Sequence, residues 1–472
     1  MSKRNPIGLD NIDWVTFSLT LSLIVLGWLM IYSVNFNMNY PDNLVDFILH
    51  TSVGKQTIWI GISFLVVFII LLLDWRIWDT FAYPIYGISM VMLFLVLILG
   101  SEIKGATSWF VFPGGFSFQP SEFAKFATAL VLASALSNPE TNFRTRTSYI
   151  RTFGLLGIPI LLILFQPDAG SALVFFSFFI LFYRAGLSNT PYVIATWIAS
   201  LFIISLKFDR IDIIFVLLFL GLSYLILNQN RDVLLKQIEM GLLLVGAGLL
   251  WYFDFLFYGI IGLSVLFLIF SIIELQTRNE RATFFTLLSI GMSSIIVFIT
   301  SYAFNNILKA HQQERINVWL NPSKCDPRGS LYNVLQSKLA IGSGGFQGKG
   351  FLEGIMTKLN YVPEQSTDFI FCTIGEEQGF LGAAAFIILF MLLLIRITVL
   401  AERQKSVFAR NYAYAIVGIF FIHFLINIGM TIGFFPIIGI PLPFVSKGGS
   451  SLLFFSIMIG VLLKLDSSRY AI

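Results

Sequence analysis

Ionisable side chains inside apolar stretches are expensive to keep there, so Glu122, Lys125, Asp168, Asp368, Glu376 and Glu377 are where chemistry is sought first. Glu122 and Lys125 are three residues apart, on one face of a helix, as an ion pair or as two groups facing a ligand. Three of the carboxylates stand at the start of an apolar run, in Gln119-Pro120-Ser121-Glu122, Gln166-Pro167-Asp168 and Thr367-Asp368-Phe369. Proline suits a helix's first turn. Each run would then aim the positive end of its dipole at one region, which favours an anionic ligand such as a pyrophosphate. First-turn acids are also common simply because they satisfy free N–H groups, so each alone has a plain reading. Three on one face are harder to dismiss. Glu376 and Glu377 follow Asp368 by about two turns, where capping or helix–helix hydrogen bonding is the plainer role for at least one.

Other groups carry weaker signals. Arg315, Lys338, Lys349 and Lys358 lie in the polar connection 306–368, where they either neutralise phosphates or are merely solvated. Trp109 reads as an interface residue, with lipid or sugar contact as the alternative. The run Gly342-Ser343-Gly344-Gly345-Phe346-Gln347-Gly348-Lys349-Gly350 lacks P-loop spacing and follows no predicted strand, which argues against a nucleotide site. Its glycines suit tight turns or close backbone approach to a ligand. Cys325 and Cys372 make neither a disulfide framework nor a metal site. The histidines His50, His311 and His423 lack metal-ligand spacing, so neither zinc nor haem is expected, and His423 reads as a packing residue. A net charge of +4 gives no reason to expect nucleic acid.

The elements that hold these groups must live in lipid. Of 472 residues 57% are apolar and 12% charged, and mean hydropathy is +0.84. Soluble domains carry about 25% charged residues. Alternating strands of the β-barrel kind are absent. The fold class expected is all-α: a polytopic integral membrane protein with about fourteen transmembrane helices, each near the 20 residues that cross the hydrocarbon. The predicted spans are about 14–34, 56–74, 80–100, 121–136, 150–166, 169–185, 190–206, 211–228, 234–253, 256–274, 283–305, 369–397, 410–432 and 449–466. The run at 14–34 is too long for a signal peptide's core and reads as an uncleaved first span.

Lys and Arg fall unevenly between the turns. One side holds Lys3, Arg4, Arg76, Arg144, Arg146, Arg151, Arg184, Arg231, Lys236, Arg278, Arg281, Arg396, Arg403, Lys405, Arg410, Lys464 and Arg469. The short loops of the other hold Lys55, Lys104, Lys207, Arg210 and Lys447. The positive-inside rule then puts both termini in the cytoplasm and 306–368 outside. That connection is expected to be functional and without regular structure. Residues 101–120 look interfacial or re-entrant. Residues 433–449 are apolar but too broken by Pro and Gly to span, which implies a cavity on the outer face.

Six stretches resemble the RodA/FtsW (SEDS) family of peptidoglycan polymerases: FQPSEFAKF (118–126), QPDAGSALVF (166–175), ERINVWLNP (314–322), DPRGSLYNVLQSKLAIGSGGFQGKGFLEG (326–354), YVPEQSTDFIFCTIGEEQGFLG (361–382) and LPFVSKGGSSLL (442–453). The glycine run is closer to the RodA elongation branch than to the FtsW division branch. The family usually has ten spans, so the resemblance divides the chain into six helices (1–185), four inserted helices (186–282), a further helix (283–305), the large loop (306–368) and three last helices (369–472). Lys447 stands where relatives commonly have Tyr.

By resemblance Asp368 is the catalytic base, activating an acceptor hydroxyl of lipid II against a lipid-pyrophosphate-linked glycan. Glu122, Lys125, Asp168, Trp109, Arg315, Lys338, Glu364, Ser446 and Lys447 would line the substrate cavity, with Glu376 and Glu377 as internal polar support. A divalent cation, Mg²⁺ or Mn²⁺, would sit on Asp368 and Asp168, and the resemblance implies no nucleotide cofactor. The implied partners are lipid II, the nascent glycan strand, membrane lipids and a class B penicillin-binding transpeptidase, in the bacterial cytoplasmic membrane. A lipid II flippase, which would use the same charges as a transport path, and a non-catalytic cell-wall scaffold are the alternatives.

Overall fold

A computed structural model describes residues 11–36, 43–103, 105–112, 116–141, 143, 145–228, 232–276, 280–326 and 329–469. Lys3, Arg4, Lys104, Arg144, Arg231 and Arg278, used above to read sidedness, lie outside these residues. Twelve helices among them are long and apolar enough to cross a membrane. The other two expected spans are also helical. One is Pro120–Ser137, and the other is a shorter piece, Ala169–Arg184, with a 3₁₀ turn at Phe175–Ser177. The chain is an all-α polytopic membrane protein.

It forms two compact units, Met1–Ser188 with Asp326–Ile472, and Asn189–Cys325. In the first, Val407–Thr431 and Gly449–Ser467 are central, 72% and 83% buried, whereas Ser52–Leu72 is 17% buried and faces lipid. Pro120–Ser137 is buried almost all round. Its Ala-rich sequence lets neighbouring backbones come close, as small residues do between helices in lipid. Proline opens it at its first position, where no backbone N–H is needed.

In the second unit Thr190–Lys207, Arg210–Asn228, Val233–Tyr252, Leu256–Gln276 and Glu280–Asn306 are followed by Ala310–Leu320. Phe215, Leu218, Leu222, Leu225, Leu263 and Phe267 form its core. This unit runs on past residue 282 to Cys325.

One expectation is given its structure and another is corrected. The stretch expected to be interfacial or re-entrant is not helical before Pro120: its described residues form an antiparallel sheet of β1 (Ser101–Ile103), β2 (Ala106–Phe112) and β3 (Phe116–Phe118), with Ser101 opposite Trp109 and Phe110 opposite Phe118. Thr, Val and aromatic residues over 107–112 fit a pleated surface, which explains it. Nor is 306–368 without regular structure: Ala310–Leu320, Ser330–Ser343 and Ile355–Lys358 are helices. Leu331, Val334, Ser337 and Ala340 are buried three apart, a helical stripe within a polar composition.

Candidate active site

Asp368 stands two residues before the helix Ile370–Glu402, half-buried, with its backbone clamped from three directions. The Asn427 amide donates to the Asp368 carbonyl (2.9 Å) and to that of Ile440 (2.7 Å). The Ser446 hydroxyl donates to the Thr367 carbonyl (2.5 Å) while accepting the Leu442 N–H (2.8 Å). The Lys447 N–H donates to the Ser366 carbonyl (2.8 Å). Residues 437–441 therefore lie alongside Asp368. At Gly439, whose φ of 79° favours glycine, a Cβ would stand 3.3 Å from Asp368 Oδ2.

Asp168 caps the helix Ala169–Val174. Its Oδ1 accepts the Ser171 N–H (3.0 Å), and its Oδ2 accepts the Ser171 hydroxyl (2.7 Å) and the Gln119 amide (3.0 Å). Gly170 follows two residues later because the same loop passes over it: a Cβ there would stand 2.9 Å from the Ile438 carbonyl oxygen and 3.6 Å from Asp168 Oδ1. Asp168 and Asp368 thus flank neighbouring loop residues, 438 and 439, whose Cα atoms are about 3.8 Å apart in any trans chain.

Beneath that loop runs a buried polar chain. Lys125 Nζ donates to Glu122 Oε1 (2.8 Å) and lies 2.9 Å from His423 Nε2; His423 Nδ1 lies 2.9 Å from the Pro441 carbonyl. A carbonyl can only accept, so the proton sits on Nδ1 and Nε2 accepts from the lysine. All three side chains are about 1% exposed. The Phe455 ring lies beside the lysine, its centroid 5.6 Å from Lys125 Nζ. Glu122 Oε2 has no hydrogen-bond partner among the described residues.

Lys447 and Glu364 lie at the rim. Lys447 Nζ donates to the Ser52 hydroxyl (2.8 Å). Burial pushes its ammonium below the usual lysine range; Glu364 opposes that shift and Lys55 adds to it. Glu364 has a left-handed backbone (φ 57°), and its Oε2 accepts the Thr367 hydroxyl (3.0 Å).

The remaining expected residues each have a described setting of their own. Lys338 is exposed and ends against Gly433, where a Cβ would stand 2.4 Å from its Nζ, just past the helix Val407–Thr431. Arg315 belongs to the second unit. Trp109 sits within β2, half-buried. Glu376 is a clamp: fully buried, it accepts from Lys349 Nζ (2.6 Å), the N–H groups of Met356 (2.9 Å) and Thr357 (2.8 Å), and the Thr357 hydroxyl (2.7 Å). Glu377 accepts from Ser33. The glycine run meets this helix. Gly348 lies where a Cβ would stand 2.2 Å from the Glu377 carbonyl oxygen, and Lys349 and Gly350 donate N–H groups to the Glu376 and Glu377 carbonyls.

Two residues of the site escaped the sequence reading as such: Asn427, and His423, which reads there as packing. Their spacing of four, on one face of a very apolar helix, was the available signal. Among the described residues no three His, Cys, Asp or Glu side chains form a metal cage. The arrangement offers a half-buried carboxylate, a second one at a helix N-terminus, and an apolar loop that approaches both.

The family model for FtsW, RodA and SpoVE, described as cell cycle protein, matches residues 13–220 and 206–471. The peptidoglycan glycosyltransferase RodA of Treponema pallidum is 27% identical over 98% of this chain and 99% of its own. The peptidoglycan glycosyltransferase MrdB of Escherichia coli K12 is 28% identical over 84% and 80%. A chain from a solved peptidoglycan synthase complex that coordinates polymerization and crosslinking superposes with a TM-score of 0.62 at 23% identity, over 97% and 98% of the two chains. With the family model matched from residue 13 to residue 471, this chain belongs to the FtsW/RodA/SpoVE family of cell cycle proteins.

Proposed function

We propose that the chain is a peptidoglycan glycosyltransferase, an inverting polymerase that joins lipid II units into glycan strands on the outer face of the bacterial cytoplasmic membrane during elongation. The observation that carries this reading is the meeting of Asp368 and Asp168 at one loop, in a chain whose relatives bear that activity in their names. Asp368 takes the proton from the acceptor sugar hydroxyl as its oxygen bonds to the anomeric carbon of the growing strand. The bond from that carbon to pyrophosphate breaks, and undecaprenyl pyrophosphate departs with the electron pair. Pyrophosphate leaves readily once its charge is balanced, so one general base suffices where a plain glycoside also needs an acid.

Asp368 and Asp168 are the residues that would hold Mg²⁺ or Mn²⁺. Two carboxylates suit a cation bound mainly through substrate phosphates and water rather than by a protein cage. Such an ion would neutralise pyrophosphate charge. Asp168 would bind such an ion while its oxygens also accept from Ser171 and Gln119. The charge asymmetry of the loops supports cytoplasmic termini, and the resemblance to a synthase-complex chain supports a class B penicillin-binding transpeptidase as partner.

The test is polymerisation of labelled lipid II by the purified protein with its transpeptidase, with and without divalent cation. Asp368→Asn, folded and expressed normally, is expected to lose polymer by about 10²–10⁴-fold. Full-length polymer from that variant would remove the assigned base. Translocation of lipid II in liposomes without chain growth would favour transport instead.

A further inference from the structure

The loop 437–441 touches Gly170 beside Asp168 on one residue and Asp368 on the next, and Pro441 is the one residue of its sequence that fixes a backbone angle. It is a non-helical stretch with a left-handed glycine, in a membrane protein, between Val407–Thr431 and Gly449–Ser467. Unpaired carbonyls at that depth are costly. Two of them are taken by one helix face: Ile440 by Asn427 and Pro441 by His423. Asn427 also holds the Asp368 carbonyl. His423 has a second tie, to the Lys125–Glu122 pair on Pro120–Ser137, whose first turn also brings Gln119 to Asp168.

We propose that His423 is a positioning residue for the reaction at Asp368: bridging Lys125 and the Pro441 carbonyl, it locks the 437–441 loop between Asp168 and Asp368. This rests on the polymerase reading above. A proton relay is the competing role for a histidine beside a carboxylate site, but here the chain ends on a carbonyl, which has no proton to pass and no basicity to accept one. Both ring nitrogens are occupied in a fixed sense. The imidazole is a strut.

The experiment compares wild type, His423→Ala and His423→Gln in nanodiscs. Glutamine presents one acceptor and two donors, so it can serve Lys125 and Pro441 together. Two measurements are made: steady-state polymerisation of lipid II, and amide hydrogen exchange of peptides covering 433–448. His423→Ala is expected to speed exchange in that segment and to lower kcat by about 100-fold with KM changed far less, the size expected of a misplacement of about 1 Å. His423→Gln is expected to restore both, and the pH profile of kcat is expected to keep its shape. Should His423→Ala fail to fold, His423→Asn, too short to reach both partners, takes its place. Unchanged exchange in His423→Ala, or faster exchange with wild-type kcat, would overturn the proposal. A pH profile that loses a limb in His423→Gln would point to a relay and overturn it as well. If wild type makes no polymer yet exchange still quickens in His423→Ala, the assigned reaction falls while the strut itself stands.

Discussion

At the scale of the residue, Ser446 shows how one hydroxyl can fix a site. It gives its proton to the Thr367 carbonyl and takes the Leu442 N–H, tying the residue before Asp368 to the loop beyond it. Ser446→Ala leaves both groups without that partner in a buried place, a loss of about 1–3 kcal/mol for each buried group left unsatisfied. The expected outcome is a lower Tm together with a fall in kcat, with Ser446→Thr near wild type. An alanine variant as active and stable as the parent would show that Asp368 is placed by other means. Asp168, Asp368, Glu122 and Lys125 were legible in the sequence because charge inside an apolar run is rare. His423 and Asn427 were not read as part of the site. A lone polar residue in a span is usually satisfied by its own helix, and only the folded loop supplies the carbonyls these two hold.

At the scale of the element, the glycine run, which reads as tight turns or close backbone approach to a ligand, makes a close backbone approach within the chain itself. Its neighbour is the helix Ile370–Glu402, which loses helical geometry at Gly379 (φ 63°, ψ −161°) and there exchanges backbone hydrogen bonds with the run: Phe380 N–H to Gly345 (2.9 Å) and Leu381 N–H to Phe346 (3.2 Å). No local pattern could announce that pairing, because the partners are more than thirty residues apart. The same elements predict a graded series. Gly342→Ala meets nothing within 4 Å at an ordinary φ and is expected to be neutral. Gly345→Ala has open space but a φ of 57°, a strain of about 1–2 kcal/mol. Gly348→Ala combines a φ of 83° with a Cβ only 2.2 Å from the Glu377 carbonyl oxygen, so it is expected to be the worst of the three. Thermal melts and limited proteolysis of 342–360 would rank them, and any other order would show that the run is not docked this way. Glu376→Gln belongs with this set. Amide substitution turns into a donor either the oxygen that faces Lys349 and the Met356 N–H or the one that faces the Thr357 N–H and hydroxyl, and faster cleavage of the same segment is expected.

At the scale of the whole first unit, the helix Ile370–Glu402 carries Asp368 at one end and an ionic cluster at the other. Arg396 and Arg403 meet Asp13, Arg403 and Arg469 meet Asp466, and Arg184 meets Glu402. These arginines are the ones the loop charges assign to the cytoplasmic side. The cationic end and the carboxylate end are therefore opposite ends of one element. Asp13 also caps the first helix, accepting from the Thr16 N–H (2.9 Å). Burial alone would raise its carboxyl, but hydrogen bonds from Arg396 and Thr16 outweigh that and hold it well below the ordinary value of 3.8. With the folded value depressed, the stabilisation is fully present above the unfolded value and is lost as pH falls through the acid range beneath it. Asp13→Asn should accordingly lower Tm at neutral pH, and the gap from wild type should narrow as pH is taken below about 4, where the unfolded carboxyl takes up its proton while the folded one stays charged. Melts of both proteins in nanodiscs at pH 7, 5, 4 and 3 give the measurement. A gap that stays constant across that series would mean the arginines gain nothing from the charge on Asp13, and that the first helix is held to the bundle by its apolar face alone.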